Sequence, residues 1–197
     1  MQVRRSTVRI LIGSLATTTV LAVGASLSAS AGQGNGAETV NARGELIRYA
    51  LPDGAPNPIL EGATARVQAV ATPSGKTIVK LHVDGLAPNR AFGSHVHTRA
   101  CGATGAAAGP HYQNVPSVNP EFANPQNEVW LDFTTNASGN AVATVTVDWH
   151  FVQDLDHPDG ANSVIIHRDP TSTGLPGQPA PGVAGPRIGC LTVPFTS

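Results

Sequence analysis

Two histidines stand one residue apart in GSHVHTRACG, residues 93–102. In an extended strand successive side chains alternate between faces, so His95 and His97 share a face with their imidazoles side by side. Two more histidines lie where the chain changes character. His111 follows a Gly-Pro turn in AGPHYQN, and His167 closes the apolar run of SVIIHRDP. An isolated H-x-H is equally compatible with strand residues facing water. Four histidines flanking two long loops instead suggest a metal site, and an all-nitrogen set with no thiolate favours Cu(II) in a tetragonal arrangement, with zinc as the generic competitor. The remaining histidines read differently. His82 falls on the polar face of its strand with Lys80, and His150 and His157, in VDWHFVQDLDHPDG, are read as facing solvent rather than a metal.

Strands must position these residues, because the chain shows period-two alternation and almost no helical periodicity. TARVQAVAT (64–72) and KTIVKLHVD (76–84) alternate on either side of a PSGK turn, with Thr77, Val79, Leu81 and Val83 on one face. Further strand segments are ELIRYAL (45–51), AFGSHVH (91–97), EVWLDFTT (128–135), AVATVTVDW (141–149), NSVIIHR (162–168) and IGCLTVPF (188–195), with a tight ASGN turn at 137–140. About eight short antiparallel strands imply an all-β sandwich or barrel. Two connections exceed hairpin length, residues 98–127 and 168–187, both rich in Gly and Pro. Loops of that length in a small domain are usually functional or disordered. Each begins directly after a histidine-bearing strand.

Residues 1–31 have the three parts of a secretory signal: Arg4, Arg5 and Arg9, an apolar stretch from Ile10, and Ala29-Ser30-Ala31 as an A-x-A cleavage site. The mature chain is expected to begin near Gly32. Small and polar residues interrupt the apolar stretch, and no cysteine lies near the cut, so neither a retained span nor a lipid anchor is expected. Arg4-Arg5 is only a weak twin-arginine signal. Residues 32–43 read as a flexible leader and 44–197 as one domain. The expected location is outside the cytoplasm, in the cell envelope or the medium. A net charge of -1 with no basic run gives no footprint for nucleic acid or an anionic membrane. No long exposed apolar strand marks an interface, so the sequence specifies no oligomeric state. Two cysteines in an exported chain imply one disulfide, Cys101 to Cys190. It would close a loop of about 90 residues, a constraint of roughly 4–5 kcal/mol in the chain-entropy account.

The segments GSHVHTRACG, AGPHY, SVIIHRDP and VAGPRIGCLTV resemble, in order, the H-V-H strand, G-P-H segment, V-V-H strand and terminal G-x-R-x-x-C motif of the copper,zinc superoxide dismutase family. The likeness runs from about Val40 to the C-terminus. It implies an eight-stranded Greek-key β-barrel or sandwich, an architecture for which this enzyme is itself a standard illustration. It also implies that His95, His97, His111 and His167 hold one copper, that His111 corresponds to the copper–zinc bridging residue, and that Arg187 draws the superoxide anion to the metal. The family's zinc ligands have no counterpart, since no histidine occurs between His111 and His150. Zinc at the family position is therefore not expected, and the chain resembles the copper-only branch, where a glutamate takes over support of the bridging imidazole. Glu128 is the first candidate for that role and Asp132 the second. The implied activity is conversion of superoxide to oxygen and hydrogen peroxide by Cu(II)/Cu(I) cycling, with His111 carrying a proton. The alternatives are a copper sink or carrier with little turnover, or a metal-free structural module. Asp169 is the only acidic residue between His167 and Arg187, so electrostatic steering is expected to be weak.

Overall fold

The computed structural model describes residues 38–196. The expected signal segment, and the leader as far as residue 37, lie outside the described residues. In chain order the strands are β1 (Glu38–Glu45), β2 (Ile47–Arg48), β3 (Ile59–Ala71), β4 (Thr77–Leu86), β5 (Ala91–Phe92), β6 (Ser94–His97), β7 (Phe133–Thr134), β8 (Ala141–Val147), β9 (Ser163–His167) and β10 (Arg187–Thr192). They form one four-stranded sheet in the order β1-β3-β4-β8, a second in the order β2-β10-β9-β6, and a small β5-β7 ribbon. Every pairing is antiparallel. After β4 the chain leaves for the second sheet and returns as β8 beside β4, the Greek-key crossing. The sheets remain open, so the architecture is the sandwich rather than a closed barrel.

The alternating segments behave as their pattern requires. Val67 lies opposite Leu81 and Ala69 opposite Val79 across β3 and β4, all four buried in the core. Val96, Val164, Ile166 and Leu191 meet them from the second sheet. Residues 38–43 are a correction: they are the first part of β1, paired with β3 from Glu38↔Ala71 onward. Ala42 is buried and Val40 packs on the core while their neighbours face outward, a short alternation concealed by polar composition. Three other expected strands shrink or split. AFGSHVH divides at Gly93 into β5 and β6, ELIRYAL leaves the last residue of β1 and the two residues of β2, and EVWLDFTT leaves only β7. In the last, Glu128 and Trp130 make isolated bridges, to Gln113 and His95, instead of joining a sheet.

The second sheet is covered on both faces, which explains why every residue of β6 and β9 is buried. Its inner face meets the core. On the outer face Ile165 and Cys190 pack with Tyr49 and Ala108 beneath the long loops. A fully buried strand reads as a continuous apolar run, as SVII does. Cys101 is disulfide-bonded to Cys190 with the Cα atoms 5.9 Å apart, tying the first long loop to β10. Among the described residues no helix is long and apolar enough to cross a membrane.

Candidate metal centre

β6 places His95 and His97 on the outer face of the second sheet, with Val96 between them in the core. β9 pairs with β6 and ends at His167, while His111 bridges to His97 from the first long loop. The four sequence-predicted histidines therefore meet. Ring centroids lie 4.1 Å apart for His95 and His111, 4.8 Å for His95 and His167, and 4.8 Å for His97 and His111. One ligand atom from each residue falls within 4.8 Å of all the others. Nitrogens bound at about 2.0–2.1 Å to one first-row ion are at most about 4.2 Å apart, so only a small inward shift is needed.

Hydrogen bonds fix which nitrogen each ring presents. His97 Nδ1–H donates to the Gly109 carbonyl at 3.0 Å and His167 Nδ1–H to the Gly185 carbonyl at 3.1 Å. His111 Nδ1 meets Glu128 Oε2 at 2.8 Å, while His95 Nε2 meets Thr171 Oγ1 at 2.7 Å. That leaves His95 Nδ1, His97 Nε2 and His167 Nε2 buried without a protein partner. A buried polar atom left unpaired costs about 1–3 kcal/mol, so three converging on one point mark a place where a metal ion or ordered water would be stabilising. Neutral, nitrogen-only donors in a buried cluster suit copper or another first-row ion. Burial pushes His95 and His97 well below the usual histidine range, favouring the neutral ring, with repulsion from neighbouring histidines and Arg187 adding to it. Burial likewise lowers His167 to about 4.

Glu128 is buried and accepts three hydrogen bonds, from His111, from Gln113 Nε2 at 2.9 Å and from Trp130 Nε1 at 2.7 Å. Burial alone would raise its pKa, but these donors outweigh it and hold the carboxyl below the ordinary value. Asp132 lies elsewhere, near His95 and not His111, and reaches that ring through Thr171. Arg187 lies opposite His167 in the β9–β10 register, and its Nη1 donates to the Gly105 carbonyl at 2.8 Å. The cavity beside it, about 760 Å³, is lined by Tyr49, Thr104, Gly105 and Pro186 among others, and by none of the four histidines. His111 instead borders a separate cavity of about 820 Å³ with Glu128, Gln113 and His157. Gly182, with φ +79, crosses this side of the site, and a Cβ there would stand 3.9 Å from His111 Cε1.

His157 is a second correction. It does not face solvent: its ring stacks on Tyr112, Nδ1 meets Asp154 at 2.8 Å, and Nε2 donates toward the carbonyls of Gln113 and Asn114. It braces the segment that carries His111. Sequence reasoning missed Thr171, Gln113 and Trp130. Thr171 lies in a Pro/Gly-rich loop with no local pattern to mark it, whereas Gln113 and Trp130 each stand two residues from a site residue on an extended segment.

A two-sheet β-sandwich that buries a four-histidine cluster on the outer face of one sheet defines the class as a β-sandwich with a candidate metal site. The sequence profile of the family described as copper/zinc superoxide dismutase (SODC) matches residues 62–193, and the chain belongs to that family. Among solved structures it is similar to the clock protein EA4, with 19% identity over 71% of this chain and 96% of that chain and a TM-score of 0.51. It is also similar to a SOD-like protein from Bacillus subtilis, with 15% identity over 76% of this chain and 96% of that one and a TM-score of 0.50. At these identities the likeness extends to the fold alone. No curated protein sequence matches the chain.

Proposed function

We propose that this protein is an exported, copper-dependent superoxide dismutase that holds one copper on His95, His97, His111 and His167 and no zinc at the family position. The observation that carries the reading is the convergence of three buried, unpaired imidazole nitrogens, each on a ring whose other nitrogen is already engaged. When bound, copper would supply the one-electron chemistry, accepting an electron from one superoxide to release oxygen and passing it to a second, which takes up two protons, one from His111 and one from solvent, to become hydrogen peroxide. His97 and His167 are fixed by backbone carbonyls and serve as rigid donors. His111 is the more exposed ring, its side chain 17% accessible, and is placed to hold a proton at Nε2 after the first half-reaction and release it to product in the second. Glu128 keeps His111 Nδ1 protonated, filling by a carboxylate the position at which a second metal would bind. Arg187 contributes a fixed positive charge beside His167, which favours a small anion.

A copper-holding protein with little turnover is the second reading. It is favoured by full burial of His95 and His97 and by the separation of the Arg187 cavity from the histidines. Metal content after loading with copper and zinc, paired with a superoxide assay on the same sample, decides between them. One copper without stoichiometric zinc, together with copper-dependent turnover, supports the dismutase. Copper without turnover supports the second reading, and failure to bind copper overturns both.

A further inference from the structure

Three of the four rings are held through Nδ1 and turn Nε2 inward; His95 is the exception, held through Nε2 with Nδ1 buried and unpaired. The group holding it is the Thr171 hydroxyl, 2.7 Å from His95 Nε2. That hydroxyl also lies 2.7 Å from Asp132 Oδ1, and the Thr171 backbone N–H donates to Asp132 Oδ2 at 2.8 Å. Ser94 N–H donates to Asp132 Oδ1 at 3.1 Å, so the carboxylate is seated by two backbone donors from different segments. A threonine hydroxyl has one proton and a carboxylate can only accept. The proton of Thr171 therefore goes to Asp132, and its oxygen must accept from His95 Nε2–H. Asp132 does not reach the ring directly, its nearest oxygen being 3.9 Å from Nε2, beyond hydrogen-bond range.

We propose that Thr171 is a positioning residue for His95: its hydroxyl relays the Asp132 carboxylate to Nε2, fixes the Nε2–H tautomer and so presents Nδ1 to the metal. The assignment of a metal to that nitrogen rests on the copper reading above; the tautomer does not. Gly93 makes the seat possible. A Cβ there would stand 2.8 Å from Thr171 Oγ1 and 2.7 Å from Ala184 Cβ, closer than real side chains come. Gly93 N–H also donates to the Asp169 carbonyl at 2.9 Å, drawing the second long loop against the start of β6. Hydrogen bonding of a ligating imidazole to a carboxylate fixes its orientation and raises its basicity, and losing such a partner typically weakens metal binding 10–100-fold.

The test compares the wild-type mature chain with Thr171→Val, which keeps the shape and removes the hydroxyl, and Thr171→Ser, which restores it. Long-range ¹⁵N NMR of the metal-free protein should read His95 as the Nε2–H tautomer in wild type and in Thr171→Ser, and as a mixture in Thr171→Val. Competition with a chelator should show Cu(II) affinity lowered about tenfold or more in Thr171→Val and recovered in Thr171→Ser, with a matching change in the copper hyperfine coupling. If Thr171→Val fails to fold, Asp132→Asn reads the same tautomer and affinity. An Nδ1–H tautomer in wild type, or an unchanged tautomer and affinity in the variant, would overturn the proposal. The expected tautomer shift in a protein that binds no copper would uphold the relay and overturn the copper reading instead.

Discussion

His111 is the one ring of the four whose partner is a charged group bonded to it directly. Glu128 accepts from His111 and Trp130 on one oxygen and from Gln113 on the other, while Gln113 Oε1 is itself occupied by Ser117 N–H. A glutamine at 128 must therefore turn its NH₂ against one of these donors. Glu128→Gln is expected to lower copper affinity by about 10–100-fold with the fold retained, measured by chelator competition and circular dichroism; affinity within twofold of wild type would remove Glu128 from the site. Protonation gives a second prediction at this scale. The folded-state pKa of His167 is about 4 against an ordinary 6.5, so the unfolded chain takes up a proton first as pH falls. Stability of the metal-free protein should be full above pH 6.5 and decline toward pH 4, by on the order of 3 kcal/mol from His167, with His95 and His97 adding in the same direction. Urea midpoints measured across that window and found flat would contradict it. His111 and His167 stood out beside the two long loops, and the shared face of His95 and His97 was legible in the sequence because i, i+2 spacing on a strand is a local rule. Thr171 was not, because its contact with His95 spans 76 residues.

Among the elements, β6 and β9 do the positioning, and the two long loops supply the groups that orient the rings. Gly109 and Gly185 offer carbonyls to His97 and His167, and both glycines sit at positive φ, where other residues are strained. Gly93 matters for closeness rather than φ. Gly93→Ala should destabilise the protein by about 1–3 kcal/mol, the usual cost of overpacking, and weaken copper binding, because the loop carrying Thr171 has to move away from β6. A urea-derived loss below about 0.5 kcal/mol, typical of a neutral surface change, would show that the loop is free to adjust. Strand identity was readable wherever alternation is long, as in β3 and β4. It failed over 128–132, where Glu128, Val129 and Leu131 bond to Asn124, Val96 and Ser94 in an irregular path rather than to a continuous ladder.

At the scale of the molecule, a disulfide between the first long loop and β10 closes a separation of 89 residues over the covered face. The chain-entropy account assigns such a link about 4–5 kcal/mol, which suits export to an oxidising compartment. The export proposal predicts that protein recovered outside the cytoplasm begins near Gly32, with the domain from Glu38 onward complete; intact mass of that fraction checks it, and a retained Met1 would refute it. The residue pattern alone determined the all-β class and the disulfide pairing, from alternation and count, and singled out four histidines by the two long loops they flank, while their shared role came from the family resemblance. The tertiary structure decided that the sheets stay open, that residues 38–43 join β1, and that His157 braces the His111 segment. It also decided that Glu128 serves His111 while Asp132 reaches His95 through Thr171. These outcomes depend on where distant loops come to rest over the second sheet, and periodicity along the chain has no term for contacts between segments that only folding brings together.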